Sequence, residues 1–145
     1  MGLFTKAPLD EDFEQALHGQ GADNHRKEIS KAQDLIRSNL GPDERVRFIF
    51  CGEFIWRWTL VFTSQRLLIL KSAEGFRIAI ESLAYSCQPH DIADIAFGAT
   101  RSGEAFGVVI NIRQTRDGIL LKTSTRQDAE LISHVATALR DERRL

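Results

Sequence analysis

The stretch Trp58-Thr-Leu-Val-Phe-Thr63-Ser-Gln-Arg66-Leu-Leu-Ile-Leu70 decides the fold of this chain. From Trp58 to Phe62 every second residue is large and apolar, which is the two-residue period of a strand with one buried face. A polar turn at residues 63–65 follows, and a second apolar run continues to Leu70. The two runs and the short turn between them predict an antiparallel hairpin.

The strand period extends from this hairpin in both directions. Upstream, Val46, Phe48 and Phe50 are predicted to share the buried face of a strand. Between residues 82 and 102 the pattern is weaker, because Pro89 interrupts any long strand. The predicted strands span residues 45–50, 55–62, 66–71, 76–81, 91–97, 105–114 and 119–123. About seven strands of this kind imply a small, strongly bent antiparallel sheet with an open end that needs a cover.

Helical periodicity lies at the two ends of the chain. A short helix is predicted over residues 10–18 and a longer one over about residues 24–39, with a stop at Gly41 and the proline after it. Near the C-terminus, Ser124 and Gln127 have the spacing of a capping box before an amphipathic helix. That last helix can cover the open end of the sheet.

Length and composition fit one folded domain with a helical extension. The chain has 145 residues, of which 43% are apolar and 27% charged, and its formal net charge is −1. We predict a mainly β (α+β) fold in which residues 1–41 form an N-terminal helical extension and residues 42–145 form the domain. The near-neutral charge argues against the strongly basic surface of a dedicated nucleic-acid domain.

The sequence also predicts the compartment. Cys51 and Cys87 lie far apart and have the character of small buried apolar residues, as is usual in a reducing compartment. The segment 1–9 lacks the apolar run of a signal peptide and leads directly into acidic residues. No apolar stretch approaches the roughly 20 residues that span a bilayer. We therefore expect a cytoplasmic protein without a transmembrane segment.

Motifs that would carry enzymatic chemistry are missing from the sequence. It contains no GxSxG, no GxGxxG and no GxxxxGK[ST], so neither a nucleophile elbow nor a phosphate-binding loop is indicated. The histidines are scattered, and His90, Asp91 and Asp94 form only a weak metal or acid–base grouping. The sequence thus predicts no catalytic residue, no metal and no cofactor. A small hydrolase or metal enzyme built around His90 remains an alternative.

The hairpin resembles a known family. The pattern from Trp58 to Leu70 is similar to the hydrophobic-Thr-x-x-Arg-Leu hairpin of bacterial pleckstrin-homology-like (PH-like) domains. Gly41-Pro-Asp-Glu-Arg-Val46 resembles the "gly-glu-x-val" start of that family's first strand, and Met1-Gly-Leu-Phe4 resembles the beginning of one of its branches. In layout the resemblance covers roughly residues 41–140, and its specific part is the dozen residues around Thr63 and Arg66.

The resemblance implies a barrel-like sandwich of seven strands capped by the C-terminal helix, without catalytic machinery. It also implies homo-oligomers, which form rings in some members. The residues that the family pattern singles out are Thr63, Arg66 and Leu67. We expect a structural role for them, because a Thr hydroxyl can bond the turn backbone and an Arg leaving the turn can bond carbonyls or a carboxylate.

A candidate interaction surface lies on the first hairpin and comprises Arg45, Arg47, Trp56 and Arg57. The simpler interpretation of the arginines is a solvated strand face. Trp56 shares alternate positions with Trp58 and Leu60, so it is predicted to face the core. The turn after Cys51 carries one acid and no base, which disfavours specific headgroup binding.

The leading functional hypothesis is a non-enzymatic interaction module. It self-associates through an edge strand or the N-terminal helical segment, or scaffolds other proteins. The alternative is a peripheral membrane adaptor that contacts anionic lipid through an arginine-bearing face.

Overall fold

The computed structural model describes residues 8–53, 57–72, 80–99, 101, 103 and 105–145. Over these residues the helices are α1 (Glu11–Ala16), α2 (Gly19–Asn24), α3 (Arg26–Ser38) and α4 (Arg126–Glu142), and a single 3-10 turn spans Pro89–Asp91. The strands are β1 (Val46–Glu53), β2 (Arg57–Thr63), β3 (Leu67–Ser72), β4 (Ile80–Cys87), β5 (Ile92–Ala99), β6 (Phe106–Ile112) and β7 (Ile119–Thr123).

The strands form two antiparallel sheets, one in the order β1-β2-β3-β4 and the other in the order β5-β6-β7. The hairpin that opened the sequence argument is β2-β3, in which Phe62 pairs with Leu67 and Trp58 with Lys71. Over the described residues the two sheets do not close into a barrel. The predicted α+β architecture of about seven strands and a C-terminal helix is confirmed.

The space between the sheets holds the main core. On the side of the first sheet it is formed by the inner face of β1 and β2, including Phe50, Leu60 and Phe62, with the Phe50 and Phe62 rings packed edge to face 5.9 Å apart. Helix α4 closes the core with one apolar face, made of Ala129, Ile132, Val135, Ala136 and Leu139. As expected from its amphipathic pattern, α4 covers the open end of the sheets.

A second core lies on the outer face of the first sheet. Helices α1, α2 and α3 bury an apolar face against that sheet; the cluster contains Phe13, Ala16, Ala22, Ile29, Ala32, Ile36, Val46, Ile49, Cys51, Val61, Leu68 and Leu70. The prediction that Val46 shares a face with Phe48 and Phe50 is wrong. The register shifts between Val46 and Phe48, so Val46 faces the helices while Phe50 faces the main core.

The connection between α1 and α2 lies beside β1, where an additional strand of the sheet would lie. Leu17 makes a parallel bridge to Ile49, and the His18 amide donates a 3.0 Å hydrogen bond to the Ile49 carbonyl. Helix α2 follows at once, in the gap between the two helices predicted over residues 10–18 and 24–39. Gly21 allows this approach, because a Cβ there would collide with the carbonyl oxygen of Cys51.

Two further boundaries differ from those predicted. The strand expected at 76–81 falls partly on residues 76–79, outside the described part, and the observed β4 runs on to Cys87. The N-cap of α4 is Thr125, whose hydroxyl accepts from the Asp128 amide at 3.1 Å, and not Ser124. Ser124 donates instead to the side chain of Gln20 in α2. The side chain of Ser124, which its spacing predicted as the cap, therefore contacts α2 instead.

Substitution of Gly21 tests how closely α2 packs on β1. We expect Gly21→Ala to lower the free energy of unfolding by about 1–3 kcal/mol, because the new methyl group meets backbone that cannot rotate away. The measurement is urea denaturation followed by tryptophan fluorescence. Gly98→Ala is the matched control, since a Cβ at Gly98 meets no atom within 4 Å. Equal stability of the two variants would contradict this packing.

Candidate interaction surfaces

Glu44 forms a buried polar cluster with Thr63 and Arg66 at the β2-β3 turn. The Glu44 side chain is 2% exposed. Arg66 makes a bidentate contact to this carboxylate, with Nε donating to Oε2 at 2.8 Å and Nη2 donating to Oε1 at 2.9 Å. The Thr63 hydroxyl donates to Oε2 as well, and the Gly41 amide donates to Oε1 at 3.0 Å. Each carboxylate oxygen thus has two donors, as a buried charge requires.

Arg66 also reaches two other elements. Its Nη1 donates to the Ser86 hydroxyl in β4 at 2.8 Å, and its Nη2 donates to the carbonyl of Asn39 at the end of α3. The Thr63 hydroxyl accepts from the Arg66 amide at 3.0 Å, which fixes the turn. Leu67, the third residue of the family pattern, is fully buried in the main core. The cluster joins the end of α3, the start of β1, the β2-β3 turn and β4.

Electrostatics at the cluster favour the charged carboxylate. Burial by itself raises the pKa of Glu44, but the hydrogen bonds from Arg66, Thr63 and Gly41 outweigh it, and the pKa lies below its usual value. The sequence prediction omitted Glu44 as a site residue. Its position in the Gly41–Val46 motif was the available signal. That motif is short-range and gives no sign of a partner 22 residues away.

Removal of the arginine tests the cluster. We expect Arg66→Met to cost about 3 kcal/mol of stability, because it leaves the Glu44 charge buried without its partner. The double variant Glu44→Gln/Arg66→Met removes that charge and is expected to recover part of the loss. Chemical denaturation of the three proteins measures both effects. A double variant no more stable than the single one would contradict the ion pair as the cause.

The pH dependence follows from the lowered pKa of Glu44. Because the folded-state pKa lies below the unfolded value of about 4.3, the stabilisation is complete above that value and is lost as the pH falls through the folded-state pKa. Below about pH 4 the stability of the wild type is expected to fall more steeply than that of Glu44→Gln. Thermal unfolding over an acid pH series compares them, and parallel curves would oppose the assignment.

The predicted interaction surface is described only in part. Arg45 and Arg47 are exposed and line one cleft of about 570 Å³ between α1, α3 and the start of β1. Trp56 lies outside the described residues, and of Arg57 only the backbone is described, where it pairs with Glu53. Trp58 is half-buried and packs against the main core. Of the four residues, the structure places Arg45 and Arg47 at one cleft, and the side chains of the other two lie outside its described part.

A different surface is the exposed half of β5, which no sequence pattern had singled out. Its first residue, Ile92, is buried, whereas residues 96–99 are all exposed. Phe97 is 42% exposed and is the large apolar side chain most open to solvent among the described residues. It borders a shallow cleft of about 350 Å³ with Val109 and Leu120. β5 is an edge strand, with β6 on one side of it.

Groups with catalytic potential are sparse in the described part of the chain. His90 Nε2 lies 3.5 Å from the Asp91 carboxylate, and no cluster of three metal-ligating side chains occurs among the described residues. Burial raises the pKa of the Cys87 thiol to about 12, so this thiol is protonated and unreactive near neutral pH. In the described part, no helix is both long and apolar enough to cross a membrane.

Comparison with known proteins identifies the fold. No family model and no curated protein matches the sequence. Among solved structures, a pleckstrin homology domain from Shewanella amazonensis SB2B is similar, with 16% identity, a TM-score of 0.53, and coverage of 78% of this chain and 87% of that one. The chain has a bacterial PH-like fold. A DUF1696 family protein with a pleckstrin-homology domain from Shewanella loihica PV-4 is similar too, at 17% identity, a TM-score of 0.54, and coverage of 78% and 92%.

The resemblance in the β2-β3 hairpin is thus confirmed at the level of fold. At these identities the comparison concerns architecture alone, because one fold supports many unrelated functions. Function in this PH-like domain has to be argued from its own surfaces.

Proposed function

We propose that this PH-like domain is a non-enzymatic interaction module that self-associates, β5 pairing with β5 of a second copy. The observation that carries the proposal is the exposed half of β5, which includes Phe97. An edge strand offers unpaired backbone groups to another strand, and a large exposed aromatic side chain supplies apolar area for a contact. Residues 1–41 are proposed as its extension and residues 42–145 as the interacting domain.

The charges that flank this edge suit a second copy of the same chain. Asp94 lies before the exposed residues 96–99 and Arg101 lies after them, and both are exposed. In an antiparallel pair related by a two-fold axis, the acidic end of one edge lies beside the basic end of the other. Opposite charges are then neighbours at both ends of the contact.

The N-terminal helices are less suited to self-association than β5. Their apolar faces are already buried against the chain's own first sheet, with Phe13, Ile29 and Ile36 fully covered. A contact through these faces would first have to expose the second core. Both cysteines are buried thiols, which supports our further proposal of a reducing, cytoplasmic location.

Charge reversal tests the pairing at β5. We expect Asp94→Arg and Arg101→Asp each to shift the protein toward monomer, because like charges then meet across the two-fold axis. The double variant is expected to recover the association by restoring opposite charges in the swapped order. Sedimentation velocity over a concentration series measures all four proteins, and Phe97→Ser provides a disruption that does not depend on charge.

The control for this experiment is Arg116→Asp, an exposed charge reversal in the β6-β7 turn. It is expected to leave the association unchanged. A wild-type protein that stays monomeric at high micromolar concentration would overturn the proposal. So would association that survives both single reversals.

A further inference from the structure

A cavity of about 390 Å³ lies among α2, β1, the end of β7 and α4. This volume falls within the range of about 300–1,000 Å³ that is typical of small-molecule sites. The lining includes His18, Asn24, His25, Phe50, Asp128 and Ile132. Phe50 and Ile132 belong to the main core and are each 1% exposed. The cavity therefore combines apolar core side chains with polar groups.

Asp128 supplies this cavity with a carboxylate that has one open oxygen. It lies in the first turn of α4 and is half-buried. Its Oδ2 accepts from the Gln20 amide at 3.2 Å, whereas Oδ1 has no hydrogen-bond partner among the described residues. No basic side chain in the described part of the chain forms an ion pair with Asp128. A half-buried carboxylate of this kind favours a ligand that brings a positive charge.

Lys122 also lines the cavity, but its ammonium group does not neutralise Asp128. Lys122 is exposed and lies between the buried residues Leu121 and Thr123, so its side chain is on the outer face of the second sheet. The register between β6 and β7 runs through these residues without a shift. The Lys122 carbonyl oxygen faces β1, where a Cβ on Gly52 would lie 3.1 Å from it. Lys122 therefore contributes main chain to the lining.

His18 supplies a second acceptor. Its Nδ1 lies 2.7 Å from the carbonyl oxygen of Ala16, and because that oxygen can only accept, Nδ1 carries the proton of the neutral ring. Nε2 is then an acceptor, and it has no hydrogen-bond partner within the described residues. The ring packs on Phe48 and Phe50 at centroid distances of 4.9 and 5.9 Å, which fixes its orientation.

The two acceptors lie close to each other and to the apolar part of the lining. The Asp128 carboxylate packs on Gly19, the residue after His18, so closely that a Cβ there would lie 3.2 Å from Oδ2. Ile132 follows Asp128 by four residues, and side chains at this spacing share one face of a helix. A molecule in the cavity therefore meets hydrogen-bond acceptors beside apolar surface.

We propose that this cavity binds a small organic ammonium ion with an apolar body. The ammonium group carries three N–H donors and serves both Asp128 Oδ1 and His18 Nε2, while the body covers Phe50 and Ile132. A ligand with a carboxylate would instead bring a second negative charge to Asp128, and a neutral alcohol would leave that charge uncompensated. Since His18 precedes α2 and Asp128 belongs to α4, the bound ion also joins these two elements.

Titration of phenethylamine into the isotopically labelled full chain, followed by NMR, tests the proposal. We expect amide shifts at residues 18–21, 50–52 and 124–128, and a higher melting temperature because the ligand binds the folded state. The neutral analogue 2-phenylethanol is expected to bind about tenfold more weakly, since it lacks the charge-assisted contact. The anion 3-phenylpropionate is expected to cause no shifts at these residues. Equal affinity for the amine and the alcohol would overturn the proposal.

The variants separate the two acceptors. Asp128→Asn removes the charge but keeps an oxygen for the Gln20 amide, and it is expected to weaken phenethylamine binding about tenfold. His18→Phe keeps an aromatic ring but removes Nε2, and weaker binding is expected again. Glu130→Gln is the matched control, because it removes an exposed carboxylate of the same helix that does not line the cavity. The amide spectrum of each variant shows that it is folded. No shifts in the wild type, or wild-type affinity in Asp128→Asn, would contradict the assignment.

Discussion

The buried contact between Glu44 and Arg66 is the interaction on which the rest of this PH-like structure depends. It costs the desolvation of two charges, and the surrounding donors and acceptors offset that cost only in one arrangement of four elements. The Asn39 carbonyl positions the end of α3, and Ser86 positions β4. The cluster therefore aligns the N-terminal helices with the first sheet and sets the direction in which β1 begins.

Sequence reasoning recovered what local periodicity encodes. The β2-β3 hairpin follows from a two-residue period on both sides of a polar turn, and α4 follows from its amphipathic face. The second core did not follow in the same way. In β1 and β3 both faces are apolar, because α1, α2 and α3 cover the outer one, and the register shift between Val46 and Phe48 places Val46 on that outer face. Tertiary contacts between distant segments are absent from any short window of sequence.

For the candidate surfaces too, the sequence revealed local motifs but not the contacts between distant segments. Thr63 and Arg66 stand out as a motif, and their contacts in the structure are to neighbours that a motif cannot name, such as Glu44 and Ser86. The exposure of Phe97 is a property of the assembled fold, in which β5 is buried at its first residue and open to solvent over residues 96–99. The pairing of Arg45 with Arg47 was visible in the sequence. The ion pair between Glu44 and Arg66 beside them was not.

The bridge between Leu17 and Ile49 limits the ways in which copies of this chain can join their sheets. It occupies the β1 edge of the first sheet, so a strand from another molecule cannot add there without displacing the α1-α2 connection. Growth of a continuous sheet from copy to copy needs two open edges on each molecule. The proposed pairing of β5 with β5 uses the same edge on both copies and therefore closes after two copies, while the occupied β1 edge protects the fold against filament formation through β1.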